Sequence, residues 1–479
     1  MKLRTNKSYL ETPILNTLKD YLSKSPIRMH VPFHNGIPNN NIFPKELYNL
    51  DISEVSGYDI EGEDNPIFQS EKITANYFSV KHSFYLTGGA SIGLVASLIS
   101  LNKFGKKVIL ARNVHKSVIN GVVLSGLEPV WLEVDFLDEW GVFSKINPDK
   151  LEELLSNEKD IAGCVIVSPT YEGIISDVKE ISDICHKKTI PLIVDEAHGG
   201  HLWFACHCEP NKVRRGNPEQ FAQVRSGLLR RPPRRTPRND SETLDSAIRL
   251  GADLVIQSWH KSLGSLTQSG VLHLVNERFF SYKDIKRSLD LISSTSPSFL
   301  LLLSLELTRK SLAIKAGLKP ASTNASIFNL LLTMAQSLKE EMQKIKNIEI
   351  LNNDDPLKIY LKSNNLSGVD FAFELYKKYS IEIESANDIG LLMLIGNNFN
   401  NEIKNKIINA IKEIIARRDV ACNVSTRTKK PQINKFRLNP RKAFMQGFQN
   451  KTNCEYESEI TAPCPPGYAI NVPGMNDGN

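Results

Sequence analysis

The chain has 479 residues, of which 41% are hydrophobic and 23% are charged, and this is ordinary for a globular protein of two or three domains. Its net charge of +6 is local, because residues 205–240 contain nine Lys or Arg against three Asp or Glu. The other residues are close to neutral in sum, so the charge does not indicate a nucleic-acid-binding protein.

No stretch predicts a membrane-spanning or secreted protein. The longest apolar run lies within residues 299–307 and is too short to cross a bilayer. Residues 1–16 lack the apolar core of a secretory signal, and the seven cysteines are too scattered for a disulfide framework. We therefore expect a cytoplasmic protein without membrane contacts.

Residues 1–55 predict a helix followed by an arm. Polar and apolar residues alternate at roughly helical spacing over residues 1–25. Residues 26–40 are rich in Pro, Asn and Gly and predict a loop, which contains Pro32-Phe33-His34-Asn35-Gly36.

From about residue 80 to residue 260, predicted strands alternate with predicted helices. The strands are residues 80–86, 107–111, 129–134, 162–167, 191–194 and 252–256. The helices are residues 94–101, one that opens at 112–117, and residues 150–157, 177–187 and 244–250. This alternation predicts an α/β domain over residues 56–292, built on a large, mostly parallel sheet.

Four polar clusters follow the carboxyl ends of these strands. They lie at residues 88–93, 112–117, 195–198 and 258–261. Ligands of such sheets bind beyond the carboxyl ends of the strands, so we expect the four clusters to meet at one site.

The first cluster, Gly88-Gly89-Ala90-Ser91-Ile92-Gly93, forms a glycine-rich turn between a strand and a helix. Such a turn presents backbone N–H groups to a phosphate, although neither the Walker nor the dinucleotide spacing is present. The same residues match the nucleophile elbow of α/β-hydrolases, which leaves open a serine hydrolase that uses Ser91. The most obvious acid and base for it, Asp195 and His198, are only three residues apart.

The fourth cluster contains Ser258, Trp259, His260 and Lys261. A lysine at the end of a buried strand can be desolvated, which lowers its pKa and frees its amine for Schiff-base chemistry with pyridoxal phosphate (PLP). A solvated surface lysine is the alternative interpretation.

Residues 205–243 interrupt the alternation with an Arg- and Pro-rich insert that we expect to be disordered. Cys206-His207-Cys208 is too tightly spaced for the usual zinc pairs, so we expect no metal site. Beyond the insert, residues 269–275 predict another strand.

The remaining residues predict a smaller α+β domain over residues 293–418 and an irregular C-terminal segment over residues 419–479. Helices are expected at residues 299–315, 326–346, 369–379 and 401–417, and strands at residues 358–362, 382–384 and 391–395.

Several of these motifs together resemble the Orn/Lys/Arg decarboxylase family, which comprises bacterial PLP-dependent enzymes of fold type I, the aspartate aminotransferase-like fold. The motifs are Ser258-Trp259-His260-Lys261 with residues 264–270, Asp195-Glu196-Ala197-His198-Gly199, residues 112–117 and residues 294–298. The length is similar to that of the shorter members, which lack a receiver-like domain.

The resemblance implies roles for individual residues. Lys261 would bind PLP as a Schiff base, Asp195 would pair with the pyridine nitrogen, and His115 and Ala197 would contact the two faces of the ring. The phosphate would be held by residues of the glycine turn and of the fourth cluster, namely Gly89, Ala90, Ser91, Ser258 and His260.

The implied reaction is decarboxylation of arginine, lysine or ornithine to the corresponding amine, as in polyamine biosynthesis. Lys261 or a neighbouring histidine would return a proton to the α-carbon, and His115 and His198 are the histidines expected to be catalytic. A homodimer or a higher homo-oligomer is also implied.

Three features depart from the family pattern. Pro32-Phe33-His34-Asn35 stands where Pro-Gly-His-Lys is usual, Trp259 stands where threonine is frequent, and Met475 follows a closing Pro-Gly that normally continues with Glu. Together with the insert, they leave open a catalytically inactive protein of this fold that has a binding role.

Overall fold

A computed structural model describes residues 6–38, 42–53, 55–58, 62–207, 244–315 and 326–418. Of the insert over residues 205–243, residues 208–243 lie outside the described residues, and so does the C-terminal segment 419–479. Residues 205–207 belong to a short 3-10 helix, which we did not expect within the insert. Within the described ranges, no helix combines the length and the apolar character needed to cross a membrane.

Nine strands form the first part of the fold. In chain order they are β1 (His82–Leu86), β2 (Lys107–Ala111), β3 (Glu128–Leu132), β4 (Val134–Leu137), β5 (Val142–Ile146), β6 (Ile161–Val167), β7 (Leu192–Asp195), β8 (Leu254–Gln257) and β9 (Gly270–Leu274). Seven of them form one sheet in the order β1-β9-β8-β7-β6-β2-β3, and β4 and β5 form a separate hairpin.

Six strands of the large sheet run in one direction, and β9, which lies between β1 and β8, runs in the opposite direction. Strands β7, β8 and β9 are buried at every position, as expected for a sheet that is covered on both faces. The prediction of a mostly parallel sheet is confirmed.

Nine helices accompany these strands in the described residues. They are α1 (Pro13–Ser23), α2 (Lys45–Leu50), α3 (Pro66–Tyr77), α4 (Gly89–Leu101), α5 (Lys116–Ser125), α6 (Pro148–Asn157), α7 (Val178–Lys187), α8 (Trp259–Ser262) and α9 (Tyr282–Ile292). Short 3-10 helices occur at Asn6–Leu10, Gly62–Asp64 and Gly200–His207.

The rest of the described chain holds four strands and four helices. They are α10 (Phe299–Lys315), α11 (Ser326–Met342), β10 (Ile348–Ile350), β11 (Lys358–Ser363), α12 (Gly368–Tyr379), β12 (Ser385–Ala386), β13 (Gly390–Leu394) and α13 (Asn401–Arg418). The four strands form a second sheet in the order β10-β11-β13-β12.

Two separate hydrophobic cores correspond to the two sheets. The first contains side chains from Ile14 to Ala313, and the second contains side chains from Leu331 to Ile415. Helix α10 belongs to the first core, whereas we expected it in the small domain. The domain boundary at residue 293 stays a prediction.

Several predicted elements differ from the structure. Residues 244–250 form turns instead of a helix, because Glu196 accepts the backbone N–H of Ala247 and Gly251 takes a positive φ of +98°. Helix α4 begins at Gly89, inside the predicted turn. The strand expected at residues 129–134 is divided between β3 and β4, and the one expected at residues 382–384 lies at β12.

Candidate active site

The four polar clusters meet in one pocket at the carboxyl edge of the large sheet. The pocket has a volume of about 290 Å³. Its lining includes residues of all four clusters, namely Gly88, Gly89, Ala90, Ser91, Asn113, His115, Asp195, Ala197, His198, Ser258, His260 and Lys261. The convergence expected from the strand ends is therefore found, whereas the individual roles of these residues stay predictions.

The amino terminus of α4 forms one wall of the pocket. Gly88 is its N-cap and has no side chain to accept the first helical N–H groups, and Gly89 has a φ of +77°. A Cβ atom on Gly270 of β9 would lie 3.0 Å from the Ala90 nitrogen and 2.8 Å from the Gln257 carbonyl oxygen. This close approach and the free N–H groups make a backbone cradle suited to an anion such as a phosphate.

Lys261 lies in α8, directly after β8. Its ammonium nitrogen Nζ donates a hydrogen bond to Nε2 of His198 over 2.8 Å. The side chain is exposed to the pocket, so of the two interpretations given for this lysine, desolvation by burial is not found. The histidine partner is instead what orients the amine.

His198 is half-buried between Lys261 and Tyr171. The Tyr171 ring meets the His198 ring edge-on, with 4.7 Å between the ring centroids. Burial, followed by the nearby charge of Lys261, lowers the pKa of His198 well below its usual value. The imidazole is therefore neutral at physiological pH, which leaves Nε2 free to accept from Lys261.

Asp195 ends β7 and is 3% exposed. Its Oδ1 accepts the N–H of Ala197 over 3.1 Å. Burial raises the pKa of Asp195 to about 6, and the Ala197 N–H and the charge of Lys261 act in the opposite direction. A buried carboxylate of this kind is stabilised by a cationic partner.

His115 is the N-cap of α5, and its Nδ1 accepts the backbone N–H of Ser117 over 3.2 Å. Burial, with the charges of Lys261 and Lys116, lowers the pKa of His115 to about 4. The ring is therefore neutral and carries its proton on Nε2.

Ser258 and His260 flank the lysine in the fourth cluster. Ser258 is 2% exposed, and His260 Nδ1 donates to the Ser269 carbonyl oxygen over 2.9 Å. That bond leaves Nε2 as the free nitrogen of His260.

A buried hydrogen-bond network lies behind this cluster. Glu196 accepts from Gln257 Nε2 over 2.6 Å and from the Ser246 hydroxyl over 2.8 Å, and Gln257 Oε1 accepts from Trp259 Nε1 over 3.0 Å. Trp259, which departs from the family pattern, is thus a fully buried and hydrogen-bonded residue. It anchors α8 to the buried network on the side away from the pocket.

The pocket also contains residues that we did not single out from the sequence, namely Thr170, Tyr171 and Glu172, which follow β6. Thr267 and Gln268, which precede β9, also line the pocket and belong to the 264–270 motif of the family resemblance. Residues 168–173 follow the carboxyl end of a strand, as the four clusters do, and this was the available signal.

The structure does not support a serine hydrolase. Ser91 and His198 both line the pocket, but His198 Nε2 is paired with Lys261, and Asp195 accepts from Ala197. Among the described residues, no group of three or more His, Cys, Asp or Glu could hold a metal ion.

Comparison with solved structures defines the fold. The constitutive lysine decarboxylase of E. coli superposes with a TM-score of 0.70 at 16% identity, covering 98% of this chain and 76% of that one. A serine palmitoyltransferase of Sphingomonas wittichii gives a TM-score of 0.54 at 13% identity, covering 87% and 86%. The fold is that of the fold type I PLP-dependent enzymes, which confirms the predicted fold class.

Comparison of sequences gives the family. An arginine decarboxylase of Bacillus subtilis (strain 168) is 27% identical over 493 residues, which cover 97% of this chain and 91% of that protein. The family model described as Orn/Lys/Arg decarboxylase, major domain, matches residues 12–217 and 241–476, on both sides of a gap inside the insert. Because this match covers most of the sequence and all four pocket clusters, the chain belongs to the Orn/Lys/Arg decarboxylase family.

Proposed function

We propose that this protein is a PLP-dependent decarboxylase of a basic amino acid. The observation that carries the proposal is the set of groups in one pocket: an amine on Lys261, a buried carboxylate on Asp195, a neutral imidazole on His115 and the anion cradle of α4. Each group matches a different part of the cofactor.

The residues present fit PLP. Lys261 would hold the aldehyde carbon, and the buried Asp195 would gain its cationic partner in the protonated pyridine nitrogen. His115 and Ala197 would contact the ring faces. The phosphate would be held by the N–H groups at Gly89, Ala90 and Ser91, together with Ser258 and His260.

PLP supplies an electron sink for the electron pair that departing CO2 leaves on the α-carbon. Asp195 would keep a proton on the pyridine nitrogen, which would maintain that sink. Neutral His115 would contact the ring without adding a positive charge. Lys261 Nζ donates to His198 Nε2, and either residue would return a proton to the α-carbon.

We propose arginine as the first substrate to test, followed by lysine and ornithine. An arginine decarboxylase of Bacillus subtilis (strain 168) aligns over 97% of this chain, which supports this order. All three candidates share the α-amino acid group and differ in side-chain length and distal cation.

The experiment is a visible absorption spectrum of the purified protein with PLP, before and after borohydride, together with CO2 release from each substrate. We expect a reducible absorption band that is absent in Lys261→Ala and present in Lys116→Ala, a neighbouring exposed lysine. A folded protein that forms no such band would exclude the proposal. A band without turnover of any basic amino acid would favour the inactive protein with a binding role.

We further propose that the protein acts as a homodimer. In its arm, defined here as residues 26–38, apolar side chains face solvent while a polar side chain is hydrogen-bonded to the backbone. Ile27, Met29 and Phe33 are 90%, 89% and 97% exposed, whereas the polar Asn35 donates to the Arg28 carbonyl oxygen over 2.7 Å. Apolar side chains on a folded segment support contact with another protein surface.

A further inference from the structure

The wall of the pocket that follows β6 is held by the small sheet and its connections. Lys358 Nζ donates to the Thr170 carbonyl oxygen over 3.0 Å, and Asn353 Nδ2 donates to the Glu172 carbonyl oxygen over 2.6 Å. The backbone N–H of Asp355 donates to the Gly173 carbonyl oxygen over 2.8 Å. The position of this wall is therefore set by residues 353–358 as well as by its own strand.

Gly173 makes the contact possible. Its φ is +96°, and a Cβ atom there would lie 2.8 Å from both Asn353 Nδ2 and the Cβ of Asp355. Lys358 and Asp355 are 2% and 0% exposed, and their charged atoms are 3.6 Å apart. Buried contacts of this kind fix one geometry, because a displaced ion pair would leave charges without partners.

Tyr171 connects this wall of the pocket to His198 and, through it, to Lys261. Its hydroxyl donates to Glu384 Oε1 over 2.6 Å, and Glu384 directly precedes β12. Its ring contacts His198 edge-on at 4.7 Å and an interplanar angle of 76°. His198 Nε2 in turn accepts from Lys261 Nζ over 2.8 Å. A continuous set of contacts thus runs from Glu384 to the lysine.

We infer that Tyr171 is a positioning residue: Glu384 fixes its hydroxyl, and its ring holds His198 against the amine of Lys261. This inference rests on the proposed function, since that function gives His198 and Lys261 their roles. It adds two residues, Tyr171 and Glu384, that do not themselves exchange protons with the substrate.

The surroundings of His198 explain why such support is needed. The titratable groups that act on its imidazole are Lys261 of α8, Lys358 of β11, His115 at the start of α5 and His260 of α8. Each of these groups disfavours the charged form of the His198 imidazole when it is itself protonated. Removal of the Tyr171 ring would admit water to His198 and release its hydrogen bond to Lys261.

The test compares Tyr171→Phe, Glu384→Ala and Tyr171→Ala with the wild-type chain. The matched control is Tyr379→Phe, because Tyr379 donates to Glu413 over 2.9 Å on the surface of the small sheet's helices, outside the pocket. Glu384 is exposed, so Glu384→Ala is expected to fold even if Tyr171→Ala does not.

The first measurement is the pKa of His198 in the full chain without cofactor, by NMR of histidine-labelled protein, with the resonance assigned by its loss in His198→Asn. We expect a low pKa in the wild type, in Tyr379→Phe and in Tyr171→Phe, which keeps the ring. In Tyr171→Ala we expect the pKa to rise toward about 6.5, the value of an unburied histidine.

The second measurement is kcat and KM of the PLP-loaded chain. We expect kcat to fall about 10- to 100-fold in Tyr171→Ala and several-fold in Tyr171→Phe, as when a reacting group is misplaced by about 1 Å. KM and the absorption band should stay near their wild-type values. The kcat of the double variant Tyr171→Phe with Glu384→Ala should be no lower than that of either single variant, because both substitutions remove the same hydrogen bond.

The inference is overturned if all three variants match Tyr379→Phe in kcat and in the pKa of His198. It is also overturned if only thermal stability changes, since that would be a purely structural role. A wild-type protein that releases no CO2 would contradict the proposed function instead, and the pKa of His198 would still test the contact with Tyr171.

Discussion

Asp195 shows what a single residue of this site does to the molecule before any ligand binds. Burial raises the pKa of its carboxyl group to about 6, so the folded chain holds the proton more tightly than the unfolded chain does. The stability that this proton provides is fully present below about pH 4 and is lost as the pH rises through about 6. At neutral pH the ionised Asp195 side chain therefore destabilises the folded chain, unless a cation lies next to its carboxylate.

We therefore predict that Asp195→Asn stabilises the cofactor-free protein at neutral pH. A pKa difference of about two units corresponds to about 3 kcal/mol, and the amide can still accept the Ala197 N–H. In urea unfolding, the difference between the variant and the wild type should be close to zero near pH 4 and reach its maximum above pH 7.

The control for this prediction is Asp183→Asn, which alters an exposed carboxylate and should show no such pH dependence. The PLP-loaded Asp195→Asn protein should decarboxylate about 100-fold more slowly or worse, since the ring nitrogen loses its anionic partner. Equal stability of variant and wild type at every pH would contradict the burial of this charge.

At the residue scale, the sequence could reveal only those groups that lie next to a strand end. Lys261, Asp195 and His115 each lie at or within a few residues of the carboxyl end of a strand, and the strand pattern therefore predicted that they share one site. The Tyr171 to Glu384 bond joins residues 213 positions apart, on elements of different sheets. Neither strand periodicity nor motif spacing carries information about such a contact.

The approach of β9 to α4 is the feature at the element scale that shapes the anion cradle. Gly270 lies opposite Leu86 in the β1–β9 pair and next to the Ala90 nitrogen. A side chain at this position would press on the Gln257 carbonyl oxygen and on the first turn of α4 together, and neither is a flexible group.

We predict that Gly270→Ala weakens PLP binding and destabilises the fold by about 1–3 kcal/mol, as is typical for overpacking a rigid site. The dissociation constant of PLP, from titration of the absorption band, and the midpoint of thermal unfolding are the measurements. Gly396→Ala is the control, because a Cβ atom there would meet nothing closer than 3.6 Å. Unchanged PLP affinity in Gly270→Ala would contradict this account of the cradle.

Periodicity located most elements of the two sheets but failed where tertiary contacts decide the structure. Residues 244–250 have a helical pattern, yet Glu196 binds Ser246 and Ala247 and prevents the helix. Helix α9 was missed although it carries a readable signal, a capping box of Ser281 and Asp284. The hairpin of β4 and β5 alternates too briefly to be recognised.

At the scale of the whole molecule, the exposed apolar side chains of the arm predict a subunit contact. We expect the wild-type protein to be a dimer in light scattering coupled to size-exclusion chromatography. Met29→Asp with Phe33→Asp should dissociate it or raise its dissociation constant at least 100-fold, since about 1.5–3 kcal/mol is lost for each large side chain that is no longer buried.

The control for the arm is Leu124→Asp, which changes an exposed leucine on α5 that is 55% accessible and lies outside the arm. A wild-type monomer would contradict the proposed homodimer, and a double variant that dimerises like the wild type would show that the arm does not form the subunit contact. PLP binding by the double variant is measured separately from its oligomeric state.

The second prediction at this scale concerns the insert. The described residues on its two sides contact each other directly: Arg249 Nη1 donates to the Trp203 carbonyl oxygen over 2.9 Å, and the Arg249 guanidinium stacks on the Trp203 ring at 3.6 Å. The family match omits residues 218–240. We predict that their deletion changes the thermal midpoint by a few degrees at most and leaves the PLP absorption band intact.

For that deletion, loss of the band in a protein that still unfolds cooperatively would show that the insert contributes to the site. Arg249→Ala is a useful comparison, since it removes the contact between the flanks and should lower stability where the deletion does not.

The position of β9 between β1 and β8 has a consequence for how the protein is made. Within the part of the chain that the structure describes, strand β1 pairs with β9 alone, and β9 is the last strand of that sheet to leave the ribosome. At a synthesis rate of about 5–20 residues per second, β1 waits on the order of 10–40 s for its partner. During that interval the nascent chain exposes an unpaired apolar strand, and the cradle and the lysine come together only afterwards. Slower translation and a lower chaperone supply should therefore reduce the yield of folded protein.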